Sequence, residues 1–120
     1  MMFAAGGDLG GGKTHILSLA KELSKDNELR LVCFRIGEMS EEAPGLGIDT
    51  LAVDHKLGFR KAKAAAVAFA REFKPDIIHC HGSKANVLGI YVRSKTGIPI
   101  ITTVHSDPNL DYMGAPLRNI

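Results

Sequence analysis

Short apolar runs alternate along this chain with longer segments of helical period. Five runs predict β-strands, and they lie at positions 1–5, 28–35, 49–53, 76–81 and 98–105. Most are apolar along nearly their whole length instead of alternating apolar and polar positions, which is typical of strands that are buried on both faces of a parallel sheet.

The segments between these runs predict three α-helices. In the first, which begins near Lys13, one face collects the apolar residues Ile16, Leu17, Leu19, Ala20 and Leu23. The second is the alanine-rich segment 59–73, which Pro75 ends because the residue before a proline avoids helical angles.

The third helix is expected at 83–96, with Ser83 as its N-cap and Gly97 as its C-terminal stop. The polar, glycine-rich segment 36–47 predicts a loop. Strands that alternate with helices indicate a doubly wound, Rossmann-like α/β fold with a parallel sheet, strand order 3-2-1-4-5 and helices on both faces. Such sheets bind ligands at the carboxyl ends of the strands, where the strand order reverses.

Composition narrows the class of protein. The 120 residues, 45% of them hydrophobic, are enough for one compact domain, expected over 1–120. A net charge of +2 gives no reason to expect nucleic acid as a partner. Cys33 and Cys80 lie in apolar runs and predict buried, reduced thiols. With no membrane-length apolar stretch and no signal peptide, a cytoplasmic protein is expected.

Residues 7–14 read G-D-L-G-G-G-K-T, which matches the phosphate-binding pattern G-x-x-x-x-G-K-[ST]. The glycines let the backbone turn close to a ligand, and the amides at the start of the following helix favour an anion. We therefore predict that Gly11, Gly12 and Lys13 face ligand phosphates, with the two glycines central and Lys13 opening the helix. A turn without a ligand is the alternative.

A nucleotide hydrolase or kinase would need more than this motif. Its Mg²⁺ is held by the loop Ser/Thr together with an acidic residue at the end of a second strand, and no predicted strand ends that way. Asp107, two residues past the fifth strand, is the only candidate. We interpret the P-loop match as coincidental. A P-loop NTPase or kinase, or a non-catalytic module that binds phosphate or nucleotide, stays as an alternative.

The histidines are sorted by their places on the strands. His79 and His81 are two residues apart and face the same side of the sheet, but no third ligand stands at a suitable spacing, so no metal site is predicted. A hydrogen-bonded core position is favoured for His79, whereas His81 and His15 stay open between ligand contact and a structural or solvent-facing role. His105 ends the fifth strand and is predicted to donate a hydrogen bond to substrate or to transfer a proton.

A cluster of basic residues without an intervening acid occupies positions 55–63: Lys56, Arg60, Lys61 and Lys63. A solvated helix start is the simpler interpretation. The functional alternative is a patch for an anionic membrane surface or an anionic acceptor, with Leu57 and Phe59 as shallow anchors.

Three segments taken together resemble a known family. "GGKTHILSLAKEL", "FKPDIIHCHG" and "TGIPIITTVHSD" occur in the order and spacing of the N-terminal domain of family 4 retaining glycosyltransferases, which have the two-domain GT-B fold. The resemblance covers about residues 7–107. It implies transfer of a sugar, of the hexosyltransferase type, from a nucleotide-diphosphate sugar to a glycan, lipid or small-molecule acceptor, with no tightly bound cofactor.

The resemblance also assigns roles to residues. Gly11 and Gly12 match the loop that approaches the donor diphosphate, and His105 matches the histidine that contacts the donor sugar. His81 and Gly82 match a turn that lines the pocket, and we add the neighbouring Ser83 to that turn. The chain has His105-Ser106-Asp107 where the family often has His-Asp, which leaves the pocket role of Asp107 open.

The resemblance further implies a second, C-terminal domain that holds most of the nucleotide. We expect the 120 residues to be one domain of a longer protein and to be inactive alone. In many members a basic helix of this domain docks on lipid, so Lys56 to Lys63 are expected to allow peripheral contact with the inner face of a membrane.

Overall fold

The computed structural model describes residues 1–4 and 11–103 as a five-stranded parallel sheet with helices on both faces. The strands are β1 (Met2–Ala4), β2 (Arg30–Cys33), β3 (Asp49–Ala52), β4 (Ile78–His81) and β5 (Ile100–Thr103). The helices are α1 (Gly11–Leu23), α2 (Glu38–Gly45), α3 (Phe59–Phe73) and α4 (Ser83–Thr96), with a 3₁₀ turn at His55–Leu57. The observed order β3-β2-β1-β4-β5 confirms the predicted fold class and strand order.

Alternate residues of the two central strands β1 and β2 enter two separate cores, and β4 contributes Ile78 and Cys80 to one of them. On one face, Phe3, Val32 and Cys80 pack with buried residues of α3 and α4. On the other, Met2, Ala4, Leu31 and Cys33 pack with buried residues of α1 and α2. Because side chains alternate between the two faces of a strand, the apolar residues of β1 and β2 need helices to cover both faces of the sheet.

Helix α3 has the predicted bounds, and Lys74 ends it in the left-handed conformation immediately before Pro75. Gly97 ends α4 in the same conformation, as predicted. The N-cap prediction for Ser83 was wrong. Gly82 occupies the cap with φ 92° and makes no side-chain cap bond, so Ser83 is the first residue of the helix. The sharp turn out of β4 requires a residue at positive φ, which serine rarely adopts.

The prediction of a loop at 36–47 was also wrong, because α2 occupies Glu38–Gly45. Its N-terminus is closed locally by Ser40, whose hydroxyl accepts from the Gly37 amide and donates to the Gly37 carbonyl, both at 3.0 Å. Met39 and Ala43, one turn apart, are buried on the face that packs against the sheet. The burial of this short apolar stripe outweighs the poor helix propensity of the segment.

Candidate functional site at the carboxyl edge of the sheet

All five strands end in one row. Ala4 pairs with Cys33 on one side and with His81 on the other, Cys33 pairs with Ala52, and His81 pairs with Thr103. These residues are the last of their strands. Every strand-to-helix connection therefore leaves from the same edge. The strand order reverses between β1 and β4, the position at which sheets of this kind bind ligands.

Helix α1 is the helix that follows β1, one of the two strands at this reversal point. Gly11 and Gly12 begin the helix, two residues earlier than predicted, and its first turn contains no acidic residue. Because the first amides of a helix have no intrahelical partner, this turn can bind an anion such as a phosphate. Gly10 and the rest of the preceding segment lie outside the described residues.

Lys13, which was predicted to open the helix and to face ligand phosphates, contacts two carboxylates of α2. Its ammonium Nζ lies 3.2 Å from Oε2 of Glu38 and 2.9 Å from Oε1 of Glu42, one turn apart on α2. Hydrogen bonds from Lys13 to Glu42 and Glu38 raise the pKa of Lys13. The P-loop lysine role is thus not favoured, because this ammonium is bound to two carboxylates.

Three histidine side chains converge between α1 and β5. The rings of His79 and His81 have centroids 4.2 Å apart, and the ring of His15 lies 6.5 Å from that of His81 in an edge-on arrangement. His79 Nε2 lies 2.6 Å from Thr103 Oγ1, so the predicted hydrogen bond is confirmed, but His79 is half-buried and not a core residue. His81 is fully buried at the end of β4.

The proximity of His15 to this pair was not predicted. The signal was present, since β1 and β4 are neighbours and His15 stands in the first turns of the helix that follows β1. Together the three rings give the edge several nitrogen atoms that can donate or accept hydrogen bonds at neutral pH.

Gly82 and Ser83 form the turn between β4 and α4. The Gly82 amide donates to the Thr103 carbonyl at 3.1 Å, which ties the ends of β4 and β5 together. Asn86, one turn into α4, accepts a hydrogen bond from the Thr102 hydroxyl at 2.5 Å. The turn is therefore held on both sides, and Ser83 is exposed at the start of the helix. His105 and Asp107 lie outside the described residues, and their roles stay predictions.

The predicted basic cluster begins at the same edge, after β3. Lys56 stands in the 3₁₀ turn, which the carboxylate of Asp54 caps by accepting from the Lys56 amide at 2.9 Å, while Arg60, Lys61 and Lys63 follow on α3. The Lys63 ammonium lies over two aromatic rings, 5.6 Å from the centroid of Phe59 and 4.9 Å from that of Tyr91. Three of the four basic residues are exposed, and Lys63 is partly covered by these rings.

A five-stranded parallel sheet in the order β3-β2-β1-β4-β5, with helices on both faces, defines a Rossmann-like α/β domain. The family model described as Glycosyltransferase Family 4 matches residues 9–119. The chain belongs to this family. Neither the comparison with curated proteins nor that with solved structures found a match. Among the described residues, no helix has both the length and the apolar character needed to cross a membrane.

Proposed function

We propose that the chain is the acceptor-side domain of a glycosyltransferase that moves a hexosyl group from a nucleotide-diphosphate sugar to an acceptor, with retention of anomeric configuration. The observation that carries the proposal is the common strand end, where β1 and β4 pair and the ring of His15 on α1 lies 6.5 Å from that of His81. The donor is a substrate that binds and leaves, and the proposal includes no tightly bound cofactor.

In the proposed reaction, the start of α1 and the residues at the strand ends would have different roles. As the bond between the sugar and the diphosphate breaks, negative charge grows on the phosphate oxygens and positive charge on the sugar ring. Amides of the first turn of α1 would stabilise the departing diphosphate, since fixed donors aimed at developing charge lower the barrier. His105 would orient the donor sugar by a hydrogen bond, and the turn at 81–83 with Asp107 would line the acceptor pocket.

The test is sugar transfer by the full-length protein from a panel of labelled nucleotide-diphosphate sugars, with the anomeric configuration of the product determined by NMR. We expect transfer with retention and a fall in kcat of about 10²-fold or more in His105→Ala, as loss of a transition-state contact typically causes. Inversion would exclude the proposed stereochemistry, and an unchanged kcat would remove His105 from the mechanism. Mg²⁺-dependent ATP or GTP hydrolysis that Lys13→Ala abolishes would favour the P-loop alternative instead.

We propose further that the 120 residues alone do not turn over substrate, because the resemblance places most of the nucleotide contacts in a second domain. The same transfer assay on this chain alone tests the point. Turnover at the rate of the full-length protein would overturn it. If the full-length protein transfers no sugar, but its binding of a nucleotide changes the activity of a partner protein, the non-catalytic alternative is favoured instead.

A second proposal concerns the basic cluster, for which we propose peripheral contact with the inner face of an anionic membrane and hence a cytoplasmic location. Leu57 and Phe59 beside it are 58% and 43% exposed. Residues 55–97 contain nine Lys or Arg and two acids, although the whole chain has a net charge of only +2. Exposed apolar anchors within a positive surface are suited to anionic lipid headgroups.

Vesicle sedimentation tests this contact. We expect the protein to bind phosphatidylglycerol vesicles but not phosphatidylcholine vesicles, and the double variant Leu57→Ser/Phe59→Ser to lose most of the binding. Ile36→Ser is the matched control, because Ile36 is also half exposed but follows β2. Equal binding to both lipids, or an unaffected double variant, would overturn the proposal.

A further inference from the structure

The environment of Lys13 is unusual for a lysine at the start of a helix. Its side chain is only 17% exposed, and its ammonium is hydrogen-bonded to both Glu38 and Glu42. The two glutamates are themselves well exposed, at 61% and 49%. The contact therefore joins the first turn of α1 to the first two turns of α2, and it brings two carboxylates close to the proposed diphosphate site.

The distance is short enough for these carboxylates to affect an anion. At most one lysine side chain and one hydrogen bond separate them from the first-turn backbone of α1, a distance comparable with the Debye length of about 8 Å at physiological ionic strength. With Lys13 in place the three side chains carry a net charge of −1, and without it they would carry −2. Repulsion of a diphosphate would then increase at the position where the helix amides attract it.

We propose that Lys13 is a positioning residue that offsets part of the negative charge of Glu38 and Glu42, and thereby holds α2 against α1 while reducing the repulsion of the donor diphosphate. The inference rests on the proposed function, because it assumes that a diphosphate binds at the first turn of α1. It assigns Lys13 to the carboxylates of α2 and not to the phosphates, the opposite of what its place in the G-D-L-G-G-G-K-T motif indicates.

The two roles predict different results when the lysine and its partners are removed together. Binding of UDP, GDP and inorganic pyrophosphate to the full-length protein is measured by isothermal titration calorimetry. Lys13→Met is expected to weaken binding about tenfold, whereas Lys13→Met/Glu38→Gln/Glu42→Gln is expected to restore it to within about twofold, because no uncompensated carboxylate remains. Lys13→Arg keeps the charge and is expected to bind nearly as the wild type does.

Lys25→Met is the control, because Lys25, two residues past the end of α1, forms an exposed ion pair with Glu22, away from the first turn. A triple variant as weak as Lys13→Met would show that Lys13 contacts the phosphates, and a Lys13→Met variant that binds normally would show that it has no role in binding. Circular dichroism checks that each variant is folded. Failure of the wild type to bind all three compounds would instead overturn the donor site itself, together with the role of Lys13 there.

Discussion

At the scale of single residues, Gly89 shows how closely α4 approaches the sheet. It is buried in the middle of α4, and a Cβ added to it would clash with Sγ of Cys80 on β4. Both backbones belong to regular elements, so neither can move far without disturbing its neighbours. A glycine in a helix costs about 1 kcal/mol relative to alanine, and here the close packing of helix on strand offsets that cost.

We therefore expect Gly89→Ala to lower the free energy of unfolding by about 1–3 kcal/mol, the usual effect of overpacking a core. Urea denaturation measures the change. Gly45→Ala is the control, because a Cβ there meets nothing within 4 Å, and it should be neutral or slightly stabilising. Combining Gly89→Ala with Cys80→Ala should cost less than the two changes added together. Simple additivity would mean that the sulfur is not the obstacle.

The two buried thiols give a second prediction at this scale. Burial raises the pKa of Cys33 to about 12 and that of Cys80 to about 11, from an ordinary value of 9.0. As pH rises, the unfolded chain loses these protons before the folded chain does, so the contribution to stability is complete below pH 9 and falls progressively between about pH 9 and 12.

We expect the urea midpoint of the wild type to fall more steeply above pH 9 than that of Cys33→Ala/Cys80→Ala. Lysine and tyrosine side chains also titrate in this range, so the difference between the two proteins is the quantity to measure. If the plots of urea midpoint against pH ran parallel for the two proteins above pH 9, the assignment of buried, protonated thiols would be contradicted. Below pH 9 the two plots are expected to run parallel.

Some residue positions followed from the sequence and others did not. The shared face of His79 and His81 and the burial of both cysteines were predictable, because a strand alternates its side chains with a period of two. The partners of Lys13 were not predictable once segment 36–47 was taken for a loop, since Glu38 and Glu42 lie on one face only in a helix. An error about one element thus concealed an ion-pair network near the candidate site.

At the scale of elements, the helices that follow β3 and β4 both begin after a glycine with positive φ. Gly58 caps α3 with φ 88° and ψ 167°, and Gly82 caps α4 with φ 92° and ψ 172°. This region of backbone space is almost restricted to glycine, and a residue with a Cβ costs about 1–3 kcal/mol there. An added Cβ meets nothing within 4 Å at either position, so the cost of substitution comes from the backbone alone.

This repetition supplies a matched pair for testing the site. Gly58→Ala and Gly82→Ala are expected to destabilise the fold to a similar extent, by about 1–3 kcal/mol. Only Gly82→Ala should also weaken binding of UDP to the full-length protein, because Gly82 adjoins the point where the strand order reverses. Calorimetry measures both binding constants. Equal loss of binding in the two variants would indicate a general effect of lower stability, and would contradict a specific role for the turn after β4.

The elements themselves were predictable to different degrees. The alanine-rich helix between Phe59 and Phe73 was predicted at its observed bounds, since a long periodic segment ends there at a proline. Helix α2 was missed because the segment carries several glycines, and Pro44 near its end argued for a loop. The spacing of Met39 and Ala43 was the sequence signal for a helix. Two apolar residues are weaker evidence than several glycines and a proline, as long as the sheet that buries the pair is not known.

At the scale of the whole molecule, cavity size and topology point to opposite edges of the sheet. A cavity of about 540 Å³ lies at the amino ends of the strands, where Asp26, Asn27 and Asp76 stand beside β1 and β4. The carboxyl edge has the helix start, the histidine cluster and the reversal of strand order. We favour the carboxyl edge, because the first amides of a helix, which can bind an anion, stand there, and because sheets of this kind bind ligands where the strand order reverses.

NMR titration decides between the two edges. On addition of UDP or pyrophosphate to the full-length protein, we expect the largest amide shift changes at Gly11, Gly12, Gly82 and Ser83, with little change at Asp26, Asn27 and Asp76. Uridine is the control, since it has the base and sugar but no phosphate to be drawn to the helix start. Changes confined to the amino edge would place the ligand in the cavity at that edge and remove the basis of the proposed donor site. Equal changes with uridine would show that phosphate does not direct binding, even if the nucleoside reached the expected edge. Amide shift changes that depend on phosphate and lie at the carboxyl ends of the strands would support the proposed donor site. Because all five strands contribute to that edge, recognition of the donor would then depend on the arrangement of the whole sheet.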